Sequence, residues 1–149
     1  MTGTGITMVD ISLPARPGRM KQLRSLVGEA AEQAGFSENV RDDIMLAANE
    51  AFANIIKHAY HFDPDREARL VILCTDTALI LELHDDAECI DPSAVKPRSL
   101  DDISPGGLGV YFIHQIMDET EFLDCEGKGN ILRMVKYLKE NNRRSVCTQ

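Results

Sequence analysis

Glu50, Asn54 and His58 recur at four-residue intervals in a stretch, residues 43–60, whose other positions are largely apolar. At about 100° per residue this spacing stacks the three side chains on one face of a helix. Val40, Ile44, Ala47, Ala51 and Ile55 form an adjacent apolar stripe that should face a core. A carboxylate and an amide one turn apart at the rim of a buried stripe suit a hydrated Mg²⁺ and the handling of a proton, because Mg²⁺ prefers oxygen ligands and keeps several waters. The same row also suits the polar flank of an ordinary amphipathic helix. His58 is expected to cap or pack at the helix end, where the dipole favours it.

Two further places carry chemistry. Leu79, Leu81, Leu83 and Asp85 alternate with Ile80, Glu82 and His84, so a carboxylate continues a core-facing row of leucines. Such a group needs a hydrogen-bonding partner, since burying it unpaired would cost several kcal/mol or force it to protonate. No basic residue lies beside it on that row. The alternative is a strand that ends at Leu83, with Asp85 in solvent. The run Gly106-Gly107-Leu108-Gly109 precedes an apolar segment from Val110 to Met117, and glycines before a helix expose N–H groups suited to phosphate oxygens. A plain loop leading into a buried helix has the same signature.

The elements that must position these groups can be read in order. Ile6 to Leu13 alternates as a strand, with Val9, Ile11 and Leu13 on one face, and Pro14 ends it. From Pro17 to Ala34 the apolar residues have helical spacing, and Gly35 stands at the C-cap. Ser37 is the N-cap of the next helix, which the pattern carries to about Tyr60. Residues 61–66 are a loop. Leu70 to Thr75 and Thr77 to Asp85 form a hairpin turning at Asp76. Glu88 to Pro105, with three prolines, reads as a long lid-like loop. Thr120 to Glu126 and Asn130 to Leu138 pair around Gly127-Lys128-Gly129. This order predicts an α+β two-layer sandwich: one mixed, mostly antiparallel sheet with helices on one face. No glycine-rich turn follows the first strand, so a Rossmann fold is excluded.

With 149 residues and 44% hydrophobic composition the chain has room for one domain, 1–149, with residues 1–5 and 140–149 frayed. A net charge of −8 argues against nucleic acid or an anionic membrane surface as a partner. No apolar run approaches the length that crosses a bilayer, and the first residues lack a signal-peptide pattern, so a cytoplasmic location is expected. Cys74, Cys89, Cys125 and Cys147 are scattered, which suggests free thiols rather than a zinc site or disulfides.

In order and separation, Glu50 with Asn54, Asp85 and the glycine run resemble the ATP site of the anti-sigma-factor serine/threonine kinases, within the superfamily of gyrase, Hsp90, histidine kinases and MutL. The resemblance runs from Leu13-Pro14-Ala15 to the strand Asn130 to Lys136, and its most specific part, Asn49 to Tyr60, looks like the family's N box. It implies a Bergerat-type ATP-binding fold with ATP and Mg²⁺. By the resemblance, Asn54 binds Mg²⁺ and Glu50 orients or deprotonates the attacking hydroxyl. Asp85 accepts a hydrogen bond from the adenine amino group. Gly107, Leu108 and Gly109 offer backbone N–H groups to the phosphates, and Asn130 lies near the adenine.

One departure stands out: the family usually has Asp-x-Gly where this chain has Asp85-Asp86-Ala87, and Glu88 to Pro92 restores the pattern only in part. If that position needs a positive φ, alanine would cost on the order of 1 to 2 kcal/mol, roughly ten-fold in affinity. In an ordinary backbone conformation its methyl could instead crowd the base.

The resemblance implies a kinase that phosphorylates a serine or threonine on an anti-sigma-factor antagonist, sequesters a sigma factor and forms a homodimer. A catalytically weak or inactive module that regulates by binding partners is the alternative, motivated by Ala87. The ATPase part of a histidine kinase would need a phospho-accepting helical hairpin, and only the helix from Pro17 precedes the N box. His61, His84 and His114 are expected to have no catalytic part, and Lys96 and Arg98 to be solvated loop charges.

Overall fold

Alternation of apolar and polar residues gives each extended segment one side fit for a core, and five such segments share it. The computed structural model describes residues 5–87, 108–123 and 129–139, the stretch 108–111 by its backbone. Its strands are β1 (Ile6–Pro14), β2 (Glu67–Cys74), β3 (Ala78–Asp85), β4 (Glu119–Leu123) and β5 (Asn130–Tyr137). They lie in the order β1-β2-β3-β5-β4, each pairing antiparallel, so β3 is the central strand. The β2/β3 turn is closed by Thr75, whose Oγ1 accepts from the N–H groups of Thr77 and Ala78.

Three helices cover one face: α1 (Met20–Ala34), α2 (Glu38–Asn54) and α3 (Leu108–Ile116). Leu23 and Val27 of α1, with Ile44, Ala47, Ala48 and Phe52 of α2, are buried against Leu70, Ile72, Leu79, Leu81, Leu83 and Met134 of the sheet. Fully burying one such leucine contributes about 1.5 to 3 kcal/mol, so this layer is the main source of stability. The opposite face carries charge in satisfied pairs: Arg69 donates twice to Asp10, and Glu82 accepts from Arg133 and contacts His84. The α+β two-layer architecture expected from the residue pattern is thus present, with helices on one face.

The helix boundaries follow their caps. Ser37 accepts from the N–H of Val40 at the start of α2, and Gly35 ends α1 at φ 104°. The long helix expected to reach Tyr60 does not stay α-helical. It ends at Asn54 and continues as a π-helical turn, Ile55–Ala59, in which the N–H of Tyr60 donates to the carbonyl of Ile55 at 2.9 Å. The wider turn carries the Tyr60 ring into the core beside Ile55 and Ile56. His58 stands in the last turn of this segment, at the helix end where it was expected, but exposed rather than packed. The apolar segment after the glycine run is helical as expected, although Phe112 is 41% exposed while Ile113 and Met117 are buried.

The expected lid from Glu88 to Pro105, Gly106, Gly107, the turn at 124–128, residues 140–149 and three of the four cysteines lie outside the described residues. Cys74 is a free thiol. Among the described residues no helix is long and apolar enough to cross a membrane.

Replacing Gly35 by alanine should destabilise the fold by about 1 to 2 kcal/mol, because a side chain at φ 104° is strained even where space is open. A urea melt reads this directly, and an unchanged midpoint would show that the cap relaxes without cost.

Candidate functional site

Asp85 is the last residue of β3, on the row of leucines, and is 8% exposed. The strand therefore does not stop at Leu83. Oδ1 of its carboxylate accepts from the N–H of Ala87 at 2.9 Å and from Nδ2 of Asn130 at 2.9 Å. Asn130 is the residue paired with Asp85 across β3 and β5, and is 4% exposed. Hydrogen bonds from protein donors go to Oδ1, and among the described residues Oδ2 receives none. Among the described residues no fully buried side-chain oxygen or nitrogen lacks a partner, so Oδ2 is open to a ligand rather than sealed. The partner that the sequence leaves missing is thus in part internal: Asn130 grips the carboxylate.

The next two residues close a tight structure. The carbonyl of Ala87 accepts from the N–H of Gly129 at 3.1 Å. Among the described non-glycine residues only His61 and Phe62 have positive φ, so Ala87 has an ordinary backbone and the strain weighed for it is absent. Its methyl packs against the core. The left-handed conformation falls instead on Gly129, φ 77°, where a Cβ would lie 2.8 Å from the carbonyl oxygen of Asp85.

Tyr60 connects this corner to the helix that carries Glu50 and Asn54. Its hydroxyl donates to the carbonyl of Glu67 at 2.7 Å and accepts from the N–H of Asp86 at 2.7 Å. The residue is 3% exposed, and the guanidinium of Arg66 lies 4.5 Å from the ring centre. Burial raises the phenol above its usual value, so it stays protonated and able to donate. The chain reverses directly after it through His61 (φ 49°) and Phe62 (φ 64°), held by the N–H of Phe62 on the carbonyl of Ile56 at 2.8 Å. Two successive left-handed residues without glycine cost of order 1 to 3 kcal/mol each, and persist only where their surroundings impose them.

Glu50 and Asn54 are half-buried on α2, one turn apart, and neither makes a side-chain hydrogen bond to another described residue. Their neighbour Asn49 is held by Arg24 of α1 at 2.8 Å, which leaves the Glu50 and Asn54 oxygens available. Leu108 and Gly109 form the first turn of α3, whose leading N–H groups have no intrahelical acceptor. At the far end of α3, Lys136 donates to the carbonyl of Ile116 and Thr120 bonds His114, so that end is pinned to β4 and β5. Burial lowers the His114 imidazole, which fits a neutral structural residue.

Glu50, Asn54, Asp85 and Asn130 thus belong to connected elements: six residues beyond Asn54, Tyr60 bonds the residue after Asp85. Gly107 is outside the described residues. These groups fit a nucleotide with Mg²⁺ in donor chemistry: an open carboxylate oxygen for an amine, a free amide and carboxylate for a hydrated cation, and helix N–H groups for phosphate. Among the described residues no cluster of three His, Cys, Asp or Glu could hold a metal by itself, so a cation here would rely on few protein oxygens and on phosphate. Sequence reasoning missed the Tyr60 joint. A hydroxyl-bearing aromatic closing the helical stretch was its visible signal, but the bonding partners lie at a distance no periodicity encodes.

Comparison with known proteins identifies the family and the fold. A family model described as the histidine kinase-like ATPase domain matches residues 13–136. The serine-protein kinase RsbW of Listeria monocytogenes serotype 4a is 28% identical over 152 residues, covering 94% of this chain and 96% of that protein. RsbW of Bacillus licheniformis is 28% identical over 140 residues, covering 87% and 85%. RsbW of Bacillus cereus is 24% identical over 152 residues, covering 94% and 93%. Among solved structures, a chain of the SiaB-SiaC complex from Pseudomonas aeruginosa shares the fold with a TM-score of 0.63 at 17% identity, covering 87% of this chain and 89% of that one.

The Tyr60 joint is open to a direct stability test. Tyr60→Phe removes the hydroxyl that bonds the carbonyl of Glu67 and the N–H of Asp86, and should lower unfolding free energy by about 1 to 3 kcal/mol. A denaturant midpoint indistinguishable from the native one would show that water replaces the hydroxyl freely.

Proposed function

This chain belongs to the histidine kinase-like ATPase domain family, and on that premise we propose that it is a protein kinase that uses ATP and Mg²⁺ to phosphorylate a serine or threonine of an anti-sigma-factor antagonist. In the same proposal it sequesters a sigma factor, acts in the cytoplasm as a homodimer and forms one domain. The relatives named serine-protein kinases, matched over nearly their whole length, support the reaction class. The observation that carries the nucleotide reading is the Asp85 carboxylate, oriented through Oδ1 and open at Oδ2, joined through Asp86 and Tyr60 to the helix bearing Glu50 and Asn54.

Each residue then has one task. Asp85 Oδ2 accepts from the adenine amino group, with Asn130 holding the carboxylate rather than touching the base. Asn54 supplies a ligand to Mg²⁺, which when bound neutralises phosphate charge. Gly107, Leu108 and Gly109 offer N–H groups to phosphate oxygens. Glu50 receives the proton of the substrate hydroxyl as its oxygen bonds the terminal phosphorus and ADP leaves with the electrons of the broken P–O bond. The reading as a partner-binding module without catalysis drew its motive from Ala87; its ordinary backbone takes away the strain part of that motive, and the packing of its methyl against the core speaks against crowding of the base.

Two variants test the assignment. Asp85→Asn keeps an oxygen for Ala87 and Asn130 but turns a donor toward the base, so Mg-ATP affinity should fall at least about ten-fold with the fold intact. Isothermal titration measures it, and undiminished affinity would remove Asp85 from the site. Glu50→Ala should leave ATP binding near native while slowing transfer to the antagonist by about 10² to 10⁴. Equal turnover in a labelled-ATP assay would reject Glu50 as the base.

A further inference from the structure

The peptide group between Asp85 and Asp86 is tied at its N–H and closely approached at its carbonyl. Its N–H donates to the Tyr60 hydroxyl at 2.7 Å, and its carbonyl oxygen lies where a Cβ on Gly129 would come within 2.8 Å. A peptide is planar, so tying its N–H restrains the whole plane and with it the direction in which the Asp85 Cα projects its side chain. The side chain itself is then locked by Ala87 N–H and Asn130 on Oδ1. Oδ2 is left without a protein donor among the described residues, and Tyr60 restrains from outside the strand the peptide that follows Asp85.

From this geometry we infer that Tyr60 is a positioning residue for base selection: it aims the free oxygen of Asp85, and thereby makes the site discriminate a purine bearing an exocyclic amine at the acceptor position from one bearing a carbonyl there. The inference rests on the nucleotide reading above and deepens it. A carboxylate oxygen accepts from the amine of ATP and repels the carbonyl oxygen of GTP, so discrimination depends on how well that oxygen is directed. Tyr60 is suited to the task because its hydroxyl is not a single tether. It is itself oriented by donating to the carbonyl of Glu67, its ring is sandwiched between core and Arg66, and it is fixed at the end of the π-helical turn. Phenylalanine keeps the ring and its packing but releases the Asp86 N–H, after which the turn at 85–87 has one restraint fewer.

The test compares equilibrium binding of ATP and of GTP, each with Mg²⁺, to the native protein, Tyr60→Phe and Asp85→Asn. The expected result is about a ten-fold weaker ATP complex in Tyr60→Phe with GTP changed less than about two-fold, so the ATP to GTP preference drops in the same direction as in Asp85→Asn. An unchanged preference in Tyr60→Phe, or an equal loss for both nucleotides, would overturn the inference and leave the nucleotide site standing if Asp85→Asn still relaxes it. Native protein that binds neither nucleotide at millimolar concentration would overturn the site and the inference together. Amide exchange of Asp86 in the native protein decides the matter independently of how the variant folds: slow exchange, further slowed by ATP, is expected, and exchange at the rate of an open amide would overturn the role of Tyr60.

Discussion

A carboxylate on the core side of a sheet must be hydrogen-bonded or neutralised, and the way Asp85 meets that demand organises this end of the molecule. One oxygen takes two donors, from the turn just after the strand and from the facing residue Asn130 of β5. The turn after the strand is tied further: Ala87 to Gly129, and Asp86 to Tyr60. The strand end, the first residue of β5 and the close of the α2 helical body are therefore one hydrogen-bonded unit, and the second carboxylate oxygen is its open valence.

The packing beneath this unit explains why it is placed so well. The helix layer rests on a continuous row, Leu79, Leu81 and Leu83, each 1% exposed or less, and Asp85 extends that row to its edge. A rigid apolar platform carries the polar corner, so the corner need contribute little to stability itself. The cost taken on by the backbone lies elsewhere, in the π-helical turn and the left-handed pair His61 and Phe62. Those irregularities turn Tyr60 inward at the one point where helix, β2 and the end of β3 meet. Departures from regular helix at such a junction are what a binding site built between layers requires.

Much of this was legible in the residues. Alternation from Leu79 to Asp85 put a carboxylate in line with the core-facing leucines, but whether the strand ran on to Asp85 or ended at Leu83 was left to the structure to decide. Ser37 and Gly35 marked helix ends through local chemistry that needs no tertiary information. The apolar stripe of α2 identified its buried side and left Glu50 and Asn54 at the rim. What was not legible depended on contacts between distant segments. The switch from α to π geometry after Asn54 has no local signature, since every residue from Ile55 to Ala59 tolerates an ordinary helix. Ala87 looked like a defect because its neighbour in space, Gly129, which carries the positive φ, is 42 residues away in sequence. The bond from Asp86 to Tyr60 is equally long-range.

The central claim is that Asp85 and the Glu50/Asn54 pair bind two ends of one nucleotide. A crystal structure of the protein with Mg²⁺ and a non-hydrolysable ATP analogue tests it most directly. The account predicts the adenine amine within hydrogen-bonding distance of Asp85 Oδ2, Asn54 on the metal, and the phosphates at the first turn of α3. A nucleotide seated anywhere that leaves Asp85 Oδ2 facing water would contradict it.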